Sequence, residues 1–515
     1  MSATSPLLNS IRTHRLTLAG AALAGLLAPF SLAPLDIWPL AVISLSLLAL
    51  CLNRLTTAKT LLAHAYVFGL AYYGVGVSWV FVSIYYFGGT SFLLSIVLTS
   101  LFVVFVALVF ALPFYGISWL QPRWRLLLGF PLAWVASEWL RTWILTGFPW
   151  LYIGYGHTGT WLSGWAPVGG VLLISLWSCL TSSYLSSCMS RQLSRTQVMS
   201  IGVLLLLVWL GGYSLKAIQW TKATGEPISV GLVQPNIPQD KRWLPEYRPI
   251  IRERLTTLSE PLWHHDWLIW PEAAVPHVYH NSLDFLDETQ AIAKQHNTSL
   301  ITGVLYDQLA HDSYTRYYNS IIGLGNVDGI YHKRRLVPFG EYVPMEDLVR
   351  GLINFFDLPF SVISSGTAQQ QNLRIGNYWL ANAICYEIAY PSLVAQQTRG
   401  AHVLLTVSND AWFGRSIGPL QHFQMVRMRA METGRFIIRS TNNGISAIIE
   451  PSGDVQQASP QFIATQLSGK VTPMLGDTPF MQLGHYPLLA LLLITALLIR
   501  QRNKNLYFNT LNRGF

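Results

Sequence analysis

The chain has 515 residues, 51% of them hydrophobic and only 11% charged, which excludes an ordinary soluble protein and points to a polytopic membrane protein with room for a further domain. A formal charge of +9 would suit a nucleic-acid binder, but only Asp36 and Glu138 among the acidic residues lie outside the stretch from Glu226 to Phe480. The basic excess therefore falls in tails and short connections, where it sets membrane topology, and nucleic acid is not an expected partner.

Crossing the hydrocarbon layer takes about 20 mostly apolar residues per helix. Eight segments are expected to do so, near residues 16–34, 37–52, 62–86, 91–119, 126–145, 162–187, 198–215 and 485–499. The first is broken by proline and followed almost at once by the second, so it reads as a retained span and not a cleaved leader. Arg12 and Arg15, Arg54 and Lys59, Arg123 and Arg125, Arg191 and Arg195, and Arg500, Arg502 and Lys504 flank alternate connections, while 35–36, 87–90 and 146–161 carry no Lys or Arg. This alternation predicts cytoplasmic termini and a large domain outside the cytoplasm, in the periplasm of a bacterium with two membranes. The expected division is a membrane domain over 1–220, a periplasmic domain over 226–475, a closing transmembrane helix over 484–500 and a cytoplasmic tail over 501–515. Glu138 and Arg141, three apart, could pair on one helix face, a structural role expected also of His64.

From Ile228 the pattern changes to short β-rich runs, turns and helical stretches, as an α/β domain requires. Strands are expected at Ile228-Ser-Val-Gly-Leu-Val, at Asp266-Trp-Leu-Ile-Trp running into Pro271 and Glu272, and at Leu300-Ile-Thr-Gly-Val-Leu. Ser320-Ile-Ile-Gly-Leu and Ile330-Tyr-His-Lys read as two strands joined by the turn Asn326-Val-Asp-Gly. Tyr378-Trp-Leu-Ala-Asn-Ala-Ile ends at Cys385, and Val403-Leu-Leu-Thr-Val ends at Ser408 and Asn409; a helix over 420–435 and a hairpin-like run from Gly444 to Asp454 follow. The apolar stretch Leu348 to Ile363 reads as core or as an arm dipping into the outer leaflet.

Cys51, Cys179 and Cys188 fall in apolar segments, so Cys385 stands alone in the polar domain and no disulfide can form within it. A thiol with an ordinary pKa is only a few per cent thiolate at neutral pH and needs a base or a cation to act as a nucleophile. Glu272 could take its proton, and Lys333 could stabilise a thiolate and an oxyanion. By spacing alone the signal is weak: a single Cys after a strand is more often buried packing, and a Glu after Trp-Pro or a Lys in a basic run is in most proteins an ordinary surface residue.

The words around them change that. Trp270-Pro-Glu-Ala, Tyr331-His-Lys-Arg-Arg-Leu-Val-Pro-Phe-Gly-Glu-Tyr-Val-Pro and Ile384-Cys-Tyr-Glu resemble, in order, the three signature segments of the nitrilase superfamily. The resemblance implies an αββα sandwich, with Glu272 as base, Lys333 as oxyanion cation, Cys385 as nucleophile and Glu341 as a supporting second glutamate. Gln234-Pro-Asn-Ile-Pro-Gln with Trp243, Ser408-Asn-Asp-Ala-Trp-Phe-Gly, and Gln421-His-Phe-Gln-Met-Val-Arg-Met-Arg-Ala-Met-Glu through Ser440-Thr-Asn-Asn-Gly are similar to further motifs of the apolipoprotein N-acyltransferase family, bacterial inner-membrane enzymes. Arg334 and Arg335, and Ser408, depart from that family's commonest wording without removing a reactive group.

This second resemblance implies that Cys385 takes an acyl chain from a phospholipid, phosphatidylethanolamine, and passes it to the N-terminal S-diacylglyceryl cysteine of a diacylated apolipoprotein. No metal or organic cofactor is implied. Trp243, Tyr386 and Glu387 match positions important for activity in the family. Trp243 and Trp412 are expected to contact lipid or acyl chain, and His422, Arg427, Arg435 and Arg439 to form scaffold bridges. Two rivals share part of the pattern: a membrane-tethered amidase or nitrilase that passes its acyl group to water, and a transporter or receptor whose nitrilase-like domain only binds ligand. The membrane part shows none of the repeated broken helices expected of a transporter.

Overall fold

The computed structural model describes residues 6–53, 55–121, 124–309, 315–343 and 363–511. The chain divides into two units: Met1–Ser78, Ile96–Ile218 and Leu483–Phe515 make the first, Trp79–Ser95 and Gln219–Gln482 the second. The arm expected over 348–363 lies, but for Ile363, outside the described residues, as do Arg54 and Arg123.

The apolar segments are helical, at Pro6–Leu27, Pro39–Asn53, Ala58–Gly76, Phe92–Tyr115, Phe130–Leu140, Ala166–Met189, Arg195–Leu215 and Tyr486–Leu511. Among the described residues three helical stretches are long and apolar enough to cross a membrane: Phe92–Trp119, Trp161–Met189 and Arg195–Leu215. A fourth counts if the bent pair Ala58–Gly76 and Trp79–Phe87 is one span. Pro39–Asn53 has 15 residues and Phe130–Leu140 has 11, so single-helix length and composition do not reach the expected eight.

The segment expected to span 126–145 stops being α-helical at Leu140, and Leu145 takes a left-handed backbone with φ 49°. The chain then runs through residues 149–158, all buried, with only a short 3-10 turn at Ile153–His157. Irregular backbone in an apolar bundle must find its hydrogen bonds inside the protein. Glu138 Oε1 accepts from Ile153 N–H at 2.8 Å and from the Trp134 indole at 2.9 Å. Arg141 donates to Trp150 O at 2.7 Å and lies over the rings of Tyr73 and Tyr152 at 5.1 and 5.2 Å. These two residues therefore serve the loop's backbone and do not pair with each other. His64 is likewise structural, bridging Thr60 O and Thr17 Oγ1.

The second unit contains strands β1 (Lys222–Ala223), β2 (Ile228–Gln234), β3 (Trp267–Ile269), β4 (Ser299–Leu309), β5 (Thr315–Leu324), β6 (Val327–Asp328), β7 (Ile330–His332), β8 (Leu373–Ile375), β9 (Tyr378–Ile384), β10 (Val403–Ser408), β11 (Ile437–Thr441), β12 (Ala447–Ile449), β13 (Val455–Ala458), β14 (Thr465–Val471) and β15 (Met474–Leu475). They form a six-stranded sheet in the order β14-β2-β3-β4-β5-β7, a seven-stranded sheet in the order β13-β12-β11-β10-β9-β8-β6, and the small pair β1-β15. Period-two alternation assigns the faces. Val230 and Leu232, Leu405 and Val407, and Ile438 point into one shared core with Ile269, Ile301, Ile384 and Ile448. The outer face of the six-stranded sheet, with Leu268 and Leu300, packs on Ile251 and Leu255 of helix Arg248–Ser259 and Phe285 of helix Leu283–Gln295. Ala381 and Leu404 pack on Val394 of helix Pro391–Thr398 and Val426 of helix Gly418–Thr433. The result is the αββα sandwich.

One expectation needs correction. β5 and β7 do pair antiparallel, Ile321 opposite Tyr331, but the run between them is not simply a turn. Val327–Asp328 is β6, which pairs with β8 of the opposite sheet, Val327 opposite Ile375. Gly325 at φ 81° and Gly329 at φ 100° allow the two reversals this detour needs.

Candidate active site

Glu272 stands on the loop leaving β3. That loop lies directly on β4: Gly303 N–H donates to Pro271 O at 3.1 Å and Ala274 N–H to Gly303 O at 2.9 Å. A Cβ at residue 303 would stand 2.6 Å from Glu272 Cα, so only glycine admits the loop. From the other side Arg242, which is buried, donates through NH2 to the carbonyls of Glu272 and Ala273.

Lys333 directly follows β7 and is 1% exposed. Its N–H donates to Asn319 O at 2.8 Å, which ties it to β5. Its ammonium stands 2.9 Å from Glu341 Oε1 and 3.6 Å from Glu272 Oε1. Asn319 Nδ2 donates to both carboxylates, at 2.7 Å to Glu272 and 2.9 Å to Glu341, while Glu341 Oε2 accepts from Val337 N–H at 2.8 Å. Burial works against the Lys333 charge, but Glu341 and Glu272 outweigh it and hold the pKa well above an ordinary lysine. Two carboxylates are thus kept apart by one permanent cation and one amide.

Cys385 comes from the other sheet, at the end of β9, in a left-handed backbone with φ 52° where the strand turns into a 3-10 helix. Burial pushes its thiol up to about 12; Glu272 adds to the rise, Lys333 opposes it, and Asp410 adds again. The elbow is held from behind. His422 Nε2 donates to Cys385 O at 3.1 Å, and Arg439 NH2 lies 3.2 Å from His422 Nδ1 and 2.7 Å from Asp410 Oδ2. Burial and then Arg439 lower the His422 pKa. Asp410, whose Oδ1 lies 3.2 Å from Nδ1, opposes that shift. Glu387 spans the two sheets. It accepts from Ile384 N–H at 2.8 Å beside Cys385, and from Arg334 N–H at 2.7 Å and Tyr331 O–H at 3.0 Å beside Lys333.

Glu272 and Glu341 line an open pocket with Arg242, Trp243, Asn319 and Trp412. Trp412 meets the Phe87 ring at 5.8 Å, and its carbonyl accepts from Ser83 at 2.8 Å. The two predicted tryptophans therefore meet the predicted acids at one cavity. Tyr386 is buried away from that lining, its ring 5.3 Å from Tyr390. Arg427 donates to Gly453 O and Arg435 to Ala401 O, scaffold contacts of the expected kind.

Asn319 and Arg242 were not singled out in the sequence. Asn319 had a signal, as an amide in the apolar-facing half of a strand; Arg242 had only its place beside Trp243. The chemistry open to this arrangement is nucleophilic acyl transfer: a thiol, a carboxylate to accept its proton and a fixed cation for the oxyanion.

Two family models match the chain: the apolipoprotein N-acyltransferase N-terminal domain over residues 24–184 and carbon-nitrogen hydrolase over residues 262–478. Apolipoprotein N-acyltransferase of Pseudomonas aeruginosa strain PAO1 is 43% identical over 501 residues, 95% of this chain and 96% of that one. The enzyme of the same name from Pseudomonas syringae is 42% identical over 447 residues, 84% of this chain and 87% of that one. Among solved structures, the carbon-nitrogen hydrolase from Helicobacter pylori G27 matches at 14% identity and a TM-score of 0.33, over 51% of this chain and 94% of that one.

Proposed function

Because the chain belongs to the apolipoprotein N-acyltransferase family, we propose that it carries an acyl chain from a phospholipid to the α-amine of the N-terminal S-diacylglyceryl cysteine of apolipoproteins, by way of a thioester on Cys385. Phosphatidylethanolamine is the proposed donor. The observation behind the mechanism is that Lys333, held 2.9 Å from Glu341 and 3.6 Å from Glu272, and Glu272 are the two charges that act most on the thiol of Cys385, which comes from the other sheet.

In the first half-reaction Glu272 takes the Cys385 proton as sulfur attacks the ester carbonyl. Lys333 stabilises first the thiolate and then the oxyanion. Its raised pKa keeps it charged throughout, so the proton is shuttled by the carboxylate. As the tetrahedral centre collapses, the C–O bond breaks and Glu272 returns the proton to the departing glycerol oxygen, leaving a thioester and a lysophospholipid. In the second half-reaction the acceptor amine attacks the thioester, Glu272 receives the amine proton and passes it to the sulfur as the C–S bond breaks and the amide forms, which restores the thiol and the carboxylate. Glu341 and Asn319 hold Lys333 and Glu272 in register; Glu387 and Tyr386 support the elbow; Trp243 and Trp412 bind the substrate chains.

We place the catalytic domain, residues 226–475, in the periplasm, between seven spans in residues 1–220 and an eighth over 484–500, with both termini cytoplasmic and 501–515 as a tail. Lys and Arg on alternate connections support that orientation. Two lipidic substrates explain the membrane attachment, since their reactive centres sit at the water interface while their chains stay in the bilayer.

The test is incubation of the purified protein with labelled phosphatidylethanolamine alone, then with a diacylated lipopeptide. Label should bind the protein, be released by neutral hydroxylamine, and pass to the peptide on its addition. Cys385→Ala should abolish all three; label retained on another residue would overturn the assignment.

A further inference from the structure

Arg242 carries a charge that the acyl-transfer steps above do not use. It is 4% exposed and forms part of the pocket wall beside Trp243. Its NH2 is engaged by the Glu272 and Ala273 carbonyls, which fixes the guanidinium plane, while NH1 has no hydrogen-bond partner among the described residues. Native proteins seldom leave a buried N–H group uncompensated, and a charged one least of all. Among the described residues Glu272 and Glu341 of the wall both meet Lys333, so with Arg242 two cations stand against the two carboxylates. The amides of Asn409 and Gln239, joined at 2.6 Å, complete that side without adding charge. A guanidinium already anchored on one edge loses little freedom when the other edge receives a ligand. The free NH1 can give a phosphate oxygen a charge-assisted hydrogen bond.

We propose that Arg242 anchors the phosphodiester of the donor lipid, and so sets the ester carbonyl within reach of Glu272 and Cys385. This rests on the phospholipid donor proposed above. It makes Arg242 a specificity-determining residue, distinguishing a phosphate-bearing donor from a neutral one.

The experiment is single-turnover acylation of the full-length protein by phosphatidylethanolamine or by a diacylglycerol with the same chains, in otherwise identical micelles. For Arg242→Gln the preference for the phosphate-bearing donor should fall roughly ten- to a hundredfold, the loss of one charge-assisted hydrogen bond. Any fall in the limiting rate from the lost hydrogen bonds to the Glu272 loop should be common to both donors, whereas the change in preference should lie in the half-saturating concentration of the phosphate-bearing donor. Arg242→Lys should restore part of the preference, as a point charge without the directed NH1 donor. Glycerophosphoethanolamine, which has the diester but no acyl chain, should slow acylation by diacylglycerol in the unmodified protein and lose that effect in Arg242→Gln. Equal losses for both donors would overturn the inference, since they would mean that Arg242 merely braces the Glu272 loop. A loss confined to transfer onto the lipopeptide would overturn it in favour of an acceptor contact. Competition by inorganic phosphate equal to that of the diester would overturn the diester assignment. If the unmodified protein takes no acyl group from any phospholipid, the donor assignment itself fails instead.

Discussion

Replacing Glu272 by Gln keeps the shape of the side chain and leaves an oxygen for Asn319, which donates to it at 2.7 Å, but removes the carboxylate proposed to take the Cys385 proton. Burial pushes that thiol up to about 12, with Glu272 adding to the rise and Lys333 opposing it. Without a base, a thiol of that pKa has a thiolate fraction on the order of 10⁻⁵ at about pH 7, five units below it. Removing the Glu272 charge relaxes the pKa somewhat, so the net loss in acylation rate should be the roughly 10²- to 10⁴-fold typical of a missing general base. The sign of the pH effect follows from the raised pKa: the proton stays on sulfur until pH approaches the thiol pKa. Below that point each added pH unit yields about tenfold more thiolate. Acylation by Glu272→Gln should therefore climb with a slope near one between pH 7 and 9, while the unmodified protein stays nearly flat. Lys333→Met should behave differently, because the missing oxyanion stabilisation, about 3–4 kcal/mol for a strong donor, does not depend on hydroxide. The assay is single-turnover acylation by phospholipid in excess, followed as a function of pH in each variant. A flat Glu272→Gln profile beside a rising Lys333→Met profile would show that the two roles are reversed.

Gly303→Ala should weaken acylation without touching substrate, because its Cβ would stand 2.6 Å from Glu272 Cα. A destabilisation of about 1–3 kcal/mol, read in thermal melts, should accompany the loss; full activity would show that the Glu272 loop can move freely. In a Cys385→Ala background, a cysteine at exposed Asp287 should react with a membrane-impermeant thiol reagent added from the periplasmic side, and one at exposed Gln192 should not. Labelling at Gln192 in intact inner membranes would reverse the proposed orientation.

Much of the site was legible because its words are local. Trp270-Pro-Glu, Lys333 with Glu341 eight residues on, and Cys385 followed by Tyr-Glu each sit at the end of a strand that a short β-rich run had located. β2, β3, β9 and β10 were found for the same reason: buried on both faces, they read as short apolar runs. β14 was missed because its exposed and half-buried residues alternate with little apolar content; what makes it a strand is its register against β2, from Thr465 opposite Gln234 to Val471 opposite Ile228. β6 was read as a turn because two residues carry no period, and only the distant β8 pairs with them.

By itself the sequence determined which segments are apolar and which groups are candidates for reaction, since both follow from residue type and short-range order. The tertiary structure decided how the reactive groups are held. Asn319 reaches Glu272 across 47 residues, Glu387 reaches the Arg334 backbone across 53, and His422 fastens the Cys385 carbonyl across 37. Glu138 and Arg141, at the end of one helix, form hydrogen bonds with the Ile153 N–H and the Trp150 carbonyl of the buried loop downstream. Such partners leave no periodic trace in the chain, because a buried polar group takes its hydrogen bond from whatever the fold brings within about 3 Å, at any distance along the sequence.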